Sequence, residues 1–283
     1  MNSADTLQRF IFEQDEIRGE IVRLEKTYQT IISQRDYPPA VQKILGEALV
    51  SCLLLVGSIK FAGEISLQFQ GDKALPMMII QCDHLLNIRA FARCKSGLQD
   101  ADYQQAFIRG SMSLSINQAD KNEIYQSHVP ISSPNMSENL MNFFAQSEQI
   151  ATQIHIVSNQ EKVVGMLLQL LPSQESEQRE LFWEYATAIG QTITSPELLN
   201  LDNETILRRL YHEVDIQLLS QQHVGFNCRC NNEKMIAVIK MLGQEEINSI
   251  LEEKGQIEIT CDFCNKHYYF DSIDVNMIFR TIH

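Results

Sequence analysis

Apolar side chains alternate with polar ones in two stretches. Ile65, Leu67 and Phe69 are interleaved with Ser66, Gln68 and Gln70, and Met112, Leu114 and Ile116 with Ser113 and Ser115. A period of two puts every apolar member on one face of a strand. Further strands are predicted at 76–82, 87–94, 122–131, 152–158 and 162–171. Two segments break the period. From about Pro39 to Lys60 apolar residues run almost uninterrupted behind Pro38 and Pro39, which predicts a buried helix. Its most apolar part, Ala48 to Ile59, is bracketed by Glu47 and Lys60, and its twelve residues fall short of the about 20 that span a bilayer. A second helix is predicted from about Ser137 to Gln149, burying Leu140, Met141, Phe143 and Phe144. Strands and helices do not alternate regularly, so residues 1–172 are predicted to form an α+β domain, a mostly antiparallel sheet with helices packed on it.

Residues 173–225 follow a different pattern. Helices are predicted at roughly 175–192 and 196–212, the second with Ser195 as N-cap and Pro196 at its first position. Phe182, Tyr185, Ala186 and Ile189 recur at helical spacing, as do Ile206, Leu207, Leu210 and Tyr211. Short amphipathic helices are marginal alone and must lay their apolar side on something. From 226 to 283 comes a small module with two apolar stripes, Met235, Val238, Ile239 and Leu242, then Ile247, Ile250 and Leu251, with Gly255 placed to stop the second helix. Fifty-eight residues are too few for a hydrophobic core alone to suffice.

Composition narrows the class. With 44% hydrophobic residues and only 12 Gly and 7 Pro, the 283-residue chain has ample material for a core. The N-terminus carries Asp5, Arg9, Glu13, Asp15 and Glu16 with no apolar signal segment, so the expected location is the cytoplasm, where thiols stay reduced. The net charge is −13, and residues 226–283 hold six Lys/Arg against nine Asp/Glu. A phosphate backbone would be repelled, so nucleic acid is excluded as a partner, and no membrane is expected.

The chemistry sits in the module. Cys228-Arg229-Cys230 is followed, thirty residues later, by Cys261-Asp262-Phe263-Cys264. Four thiolates from two close pairs suit the closed, all-sulfur tetrahedral geometry of a structural zinc site, with one Zn²⁺ per chain. Cys261 and Cys264 lie between an alternating strand and an aromatic one, the setting of a zinc knuckle. His267 lies three residues past Cys264 and is read as a strand residue. No helix starts at Cys261, which disfavours a thiol–disulfide oxidoreductase. Four sulfurs leave no open coordination position, so no catalytic residue is assigned and the protein is read as a non-enzyme. Inert zinc in a constitutive binding module and zinc in a redox switch both remain open at this level. Cys52, Cys82 and Cys94 match no motif: Cys52 is read as a packing residue, and Cys94, between Arg93 and Lys95, as an ordinary strand cysteine in which a lowered pKa is conceivable.

The C-x-C…C-x-x-C pattern with CDFCNKHYYF resembles the redox-regulated 33 kDa heat-shock chaperone (33 kDa chaperonin) family of bacteria. So do RFIFEQDEIRGEIVRLEKTYQTIISQRDYPPAVQKILGEALV, KFAGEISLQFQGD and RRLYHE. The resemblance covers essentially the whole chain. It implies an ATP-independent holdase, inactive when reduced and zinc-bound, in which Cys228, Cys230, Cys261 and Cys264 are the ligands. It further implies that oxidation under unfolding conditions bridges Cys228 with Cys230 and Cys261 with Cys264, releases the ion and unfolds the module. An activated homodimer, unfolded client proteins as partners, and a middle segment acting as regulator and client surface follow from the same resemblance. No G-x-x-x-x-G-K-[ST] phosphate loop occurs, in keeping with ATP independence.

Overall fold

A helix that is apolar on every side has to be covered on every side. Helix α2 (Pro39–Ser58) buries all but its first residue, Gln42, Lys43 and its last, and it packs against two sheets at once. The computed structural model describes residues 5–12, 17–58, 62–118, 124–172 and 177–280, which divide into two units, Met1–Phe226 and Asn227–His283.

In the first unit one sheet contains β1 (Thr6–Phe12), β2 (Ile17–Leu24), β8 (Thr152–Ser158), β9 (Val163–Leu170), β10 (Ile216–Leu218) and β11 (Gln222–His223). Its order is β10-β1-β2-β9-β8, with β11 also pairing β1. The other sheet contains β3 (Gly63–Gln70), β4 (Met77–Asp83), β5 (Asn87–Arg93), β6 (Ser111–Gln118), β7 (Ile124–Val129) and β12 (Gly225–Phe226), in the order β12-β5-β4-β3-β6-β7. Every pairing is antiparallel except β12 on β5. Helices α1 (Lys26–Ile32), α3 (Asp100–Ile108) and α4 (Met136–Phe143) join the core around α2. The far face of the first sheet carries a second core, in which Phe10, Phe12, Ile17, Ile21, Met166 and Leu168 meet residues of α5 (Glu177–Gly190), α6 (Ser195–Asn200) and α7 (Asn203–Leu210).

The predicted α+β class holds, with several corrections. Two sheets replace the single one, because α2 needs a cover on each side. By length and composition α2 is long and apolar enough to cross a bilayer, longer than the twelve-residue run suggested, yet 83% of that stretch is buried in the unit, so it is a core helix. It ends at Ser58, and the predicted terminus at Lys60 lies outside the described residues, as do positions 122, 123, 175 and 176 of two other predicted elements. The helix predicted over 137–149 changes pitch: α4 gives way to a π-helical stretch, Phe144–Glu148, closed by Gln149 at φ 54°. The helix predicted over 196–212 is broken at Leu201, because Asp202 caps a new start by accepting from the Thr205 amide. Thr194, not Ser195, caps α6; its hydroxyl and the Glu197 carboxylate bond reciprocally with each other's backbone.

The second unit contains α8 (Asn232–Leu242), α9 (Gln244–Lys254), the hairpin β13 (Ile257–Thr260) and β14 (His267–Phe270), and α10 (Ser272–Arg280). Its buried residues are few: Ile239, Ile247, Ile257, Cys261, Tyr268, Phe270, Val275 and Ile278. Gly255 stops α9 at φ 76°, as predicted. The predicted stripe on α8 is displaced: Val238 and Leu242 are exposed, and Met235, Ile236 and Ile239 face the core.

Candidate metal centre

Two local devices present the sulfurs. Cys228 and Cys230 sit just ahead of α8, whose N-cap Asn231 accepts from the Lys234 amide at 2.9 Å, while the Lys234 ammonium donates to the Arg229 carbonyl at 2.7 Å. Cys261 and Cys264 occupy the turn between β13 and β14. There the Asn265 amide donates to the Cys261 carbonyl and the Cys261 amide to the Lys266 carbonyl, both at 2.9 Å. Asn265 takes the left-handed conformation, φ 55°, that lets the turn close.

The four Sγ atoms all lie within 4.8 Å of one another. Cys228 is 3.6 Å from Cys261 and Cys230 is 3.4 Å from Cys264, so these two contacts run between the pairs. A tetrahedral zinc with bonds of about 2.3 Å requires sulfurs about 3.8 Å apart. The donor set fits such an ion in number, element and spacing. It can hold a metal, and with four sulfur donors it leaves no position for substrate.

The surroundings bias the thiols unequally. Partial burial opposes ionisation of Cys230, but the Tyr268 hydroxyl and the three neighbouring thiols hydrogen-bond to its sulfur and bring it down to about 7. Burial, with the shared thiol contacts, pushes Cys264 up although the Lys266 amide donates to it. Desolvation also raises Cys228, against a donated bond from the Cys230 amide. The Tyr268 hydroxyl lies 3.1 Å from the Cys230 sulfur, and the Lys266 ammonium stands 5.0 Å from the centroid of the Tyr268 ring. Strand alternation carried a signal for this residue, since Tyr268 and Phe270 point into the module and Tyr269 points out.

His267 belongs to the strand. Its Nδ1 lies 2.6 Å from the Glu258 carboxylate and 3.2 Å from the Thr260 hydroxyl, on the outside of the hairpin. Cys52 and Cys82 are fully buried in the first unit, where desolvation raises both thiols. Cys94 is half-buried, and desolvation raises it too despite the nearby Arg35, which corrects the lowered pKa conceived from its flanking cations. The predicted apolar stripes of 182–189 and 206–211 find their partner in the first sheet. Tyr211 packs edge-on against Phe12 at 5.0 Å and its hydroxyl donates to the Ala186 carbonyl.

Comparison with known proteins supplies a context for this centre. The family model described as Hsp33 protein matches residues 5–271. A "33 kDa chaperonin" of Shewanella woodyi is 39% identical over 99% of this chain and 97% of its own length. One of Pseudomonas aeruginosa is 38% identical over 99% and 96%. The crystal structure of the 33 kDa chaperonin from Thermotoga maritima shares the fold, with a TM-score of 0.84 at 18% identity over 98% of each chain. These relatives are named as chaperonins rather than enzymes, which supports a chaperone role. A match over nearly the whole chain, with relatives this similar at full length, means that the chain belongs to the Hsp33 family.

Proposed function

We propose that the protein is a redox-regulated, ATP-independent holdase of the cytoplasm whose reduced, zinc-bound state is inactive. The observation that carries this reading is the clustering of four thiols within 4.8 Å inside a module with eight well-buried residues among those described. Bound there, zinc would supply folding free energy and hold its ligands as thiolates, the form that oxidants attack. Cys228, Cys230, Cys261 and Cys264 are the residues that hold it. Structural zinc contributes about 10–16 kcal/mol to small modules, whereas a whole domain is stable by about 5–15 kcal/mol. Loss of the ligands therefore unfolds residues 227–283.

Each bridge forms by the loss of two electrons and two protons from a thiol pair to an oxidant such as peroxide, which leaves as two waters. The proposed bridges are Cys228–Cys230 and Cys261–Cys264. Separations of one and two residues keep those partners together after the module opens. Crosswise bridges would instead staple the module shut. Only Asn227 separates β12 from Cys228, so an unfolded module continues directly into the last strands of the first unit. Under mildly unfolding conditions the segment 173–225 then lifts from the first sheet and exposes apolar surface to unfolded clients, with dimerisation of the active form.

Light scattering of a chemically unfolded client, diluted without ATP into reduced zinc-loaded protein or into protein oxidised at mildly unfolding temperature, tests this. Suppression by the oxidised form alone supports the switch. Equal suppression in both states, or in neither, reduces the metal to a static staple.

A further inference from the structure

Strand β1 is an inner strand only because the end of the first unit folds back onto it. On one side it pairs with β2 over six residues, Thr6 to Ile11. On the other it is covered by two fragments, β10 and β11, of three and two residues. The cover is out of step with itself. Phe10 faces Leu218 and Phe12 faces Ile216, but Thr6 faces His223, so the chain gains one residue between the fragments, a bulge around Leu219–Gln221. The Leu219 amide donates to the Arg9 carbonyl at 2.9 Å and the Val224 amide to the Asp5 carbonyl at 3.1 Å. Antiparallel alternation therefore places the amide and carbonyl groups of Leu7, Arg9 and Ile11 on this edge. The face beside it holds Phe10 and Phe12, fully buried under α5–α7.

We infer that the outer edge of β1 is a binding site for an extended polypeptide strand, and that residues 216–223 occupy it in the resting protein as an internal mimic of the client. The mimic states the ligand's chemistry: an antiparallel strand, apolar at alternate positions as at Ile216 and Leu218, polar between them as at the exposed Gln217. An unpaired strand edge next to an apolar face gives a client both backbone pairing, indifferent to sequence, and apolar burial that selects unfolded chains. A straight client strand avoids the bulge that interrupts the internal cover. The inference rests on the proposed release of the segment 173–225 and adds the mode of capture.

The test uses the full chain and a fluorescent peptide of residues 214–221, VDIQLLSQ. Two N-methylated forms of equal composition accompany it. Methyl groups at the positions of Gln217 and Leu219 block the amides that face β1, while methyl groups at Ile216 and Leu218 block those that face away. Oxidised protein is expected to bind the unmodified and the Ile216/Leu218-methylated peptides alike, and the Gln217/Leu219-methylated peptide at least ten-fold more weakly. A variant carrying Ile216→Asp and Leu218→Asp frees the edge without oxidation and is expected to give the same ranking while reduced. Equal binding of both methylated forms, or no peptide binding by protein that suppresses aggregation, overturns the inference and leaves the holdase reading standing. The ranking in the reduced variant, together with no suppression by oxidised protein, supports the edge site and removes the redox reading.

Discussion

The hydroxyl of Tyr268 donates a hydrogen bond to the sulfur of Cys230 across 3.1 Å, which makes a residue outside the cysteine motif part of the centre. A donor to a ligand sulfur orients it and stabilises its anionic form, and removing such outer contacts costs about 10–100-fold in metal affinity. Tyr268→Phe keeps the buried ring and removes the donor. Competition with a chromogenic chelator should show zinc held at least ten-fold more weakly, with the module still folded.

Removal of the metal should unfold the second unit and leave the first folded. Chelation, or Cys261→Ser, is expected to abolish amide-exchange protection across α8, α9 and the β13–β14 hairpin while the β2–β9 and β3–β6 ladders keep theirs. Hydrogen exchange resolved by segment measures this directly. A protected hairpin in the metal-free protein would contradict the dependence of the module on its ion.

The first unit carries a pH dependence of its own. Glu20 is fully buried beside Gly57 at the end of α2, with the Arg9 guanidinium 3.5 Å from its carboxylate. Desolvation outweighs Arg9 and Arg18 and raises its carboxyl to about 7. Glu47 on α2 is raised to about 7 by burial as well, against the pull of Lys43. A carboxyl raised on folding favours the folded state when protonated. Its stabilisation is therefore complete below the unfolded value of 4.5 and is lost as pH rises through about 7. Denaturant midpoints of the reduced protein should fall between pH 5 and pH 8. Glu20→Gln should flatten that fall and stabilise the unit at pH 8, by at most about 3 kcal/mol at 1.36 kcal/mol for each pKa unit.

Arg23 fastens the middle segment to the first sheet. From β2 its guanidinium reaches the Asn203 side-chain oxygen at 2.6 Å and the Leu201 carbonyl at 2.5 Å, at the break between α6 and α7, and the Asn203 amide group donates to Gln8 on β1 at 2.9 Å. Bonds to a charged, largely buried donor contribute about 1.5–3 kcal/mol each. Arg23→Ala should raise amide exchange in 201–218 by ten-fold or more in reduced protein, and lower the temperature at which oxidised protein begins to suppress aggregation. Unchanged exchange there would mean that apolar packing alone holds the segment.

What the sequence disclosed depended on how many faces of each element are buried. Strands β3 and β6 were legible because one face of each is buried in the core around α2, so Ile65, Leu67 and Phe69 alternate cleanly. Strands β1 and β2 were not. Leu7, Val22 and Leu24 face the α2 core while Phe10, Ile17 and Ile21 face the α5–α7 core, and burial on both sides erases a period of two. The fragments β10, β11 and β12 have too few residues for any period to register. At the cap of α6, the spacing Thr194-x-x-Glu197 held the answer that Pro196 obscured. The four cysteines were legible because ligand spacing is written in the chain itself, whereas the bond from Tyr268 required knowing which way β14 faces.

The cover over β1 is held by contacts that involve no cysteine: Tyr211 against Phe12, Arg23 at the α6–α7 break, and the Leu219 amide on Arg9. On the proposed function, oxidant would remove one restraint and warmth would loosen another, with neither substituting for its counterpart. A molecule wired in that way would be a coincidence detector. Its output would track the overlap of two stresses in time, silent through a brief oxidative pulse at moderate temperature and through simple heating in a reducing cell.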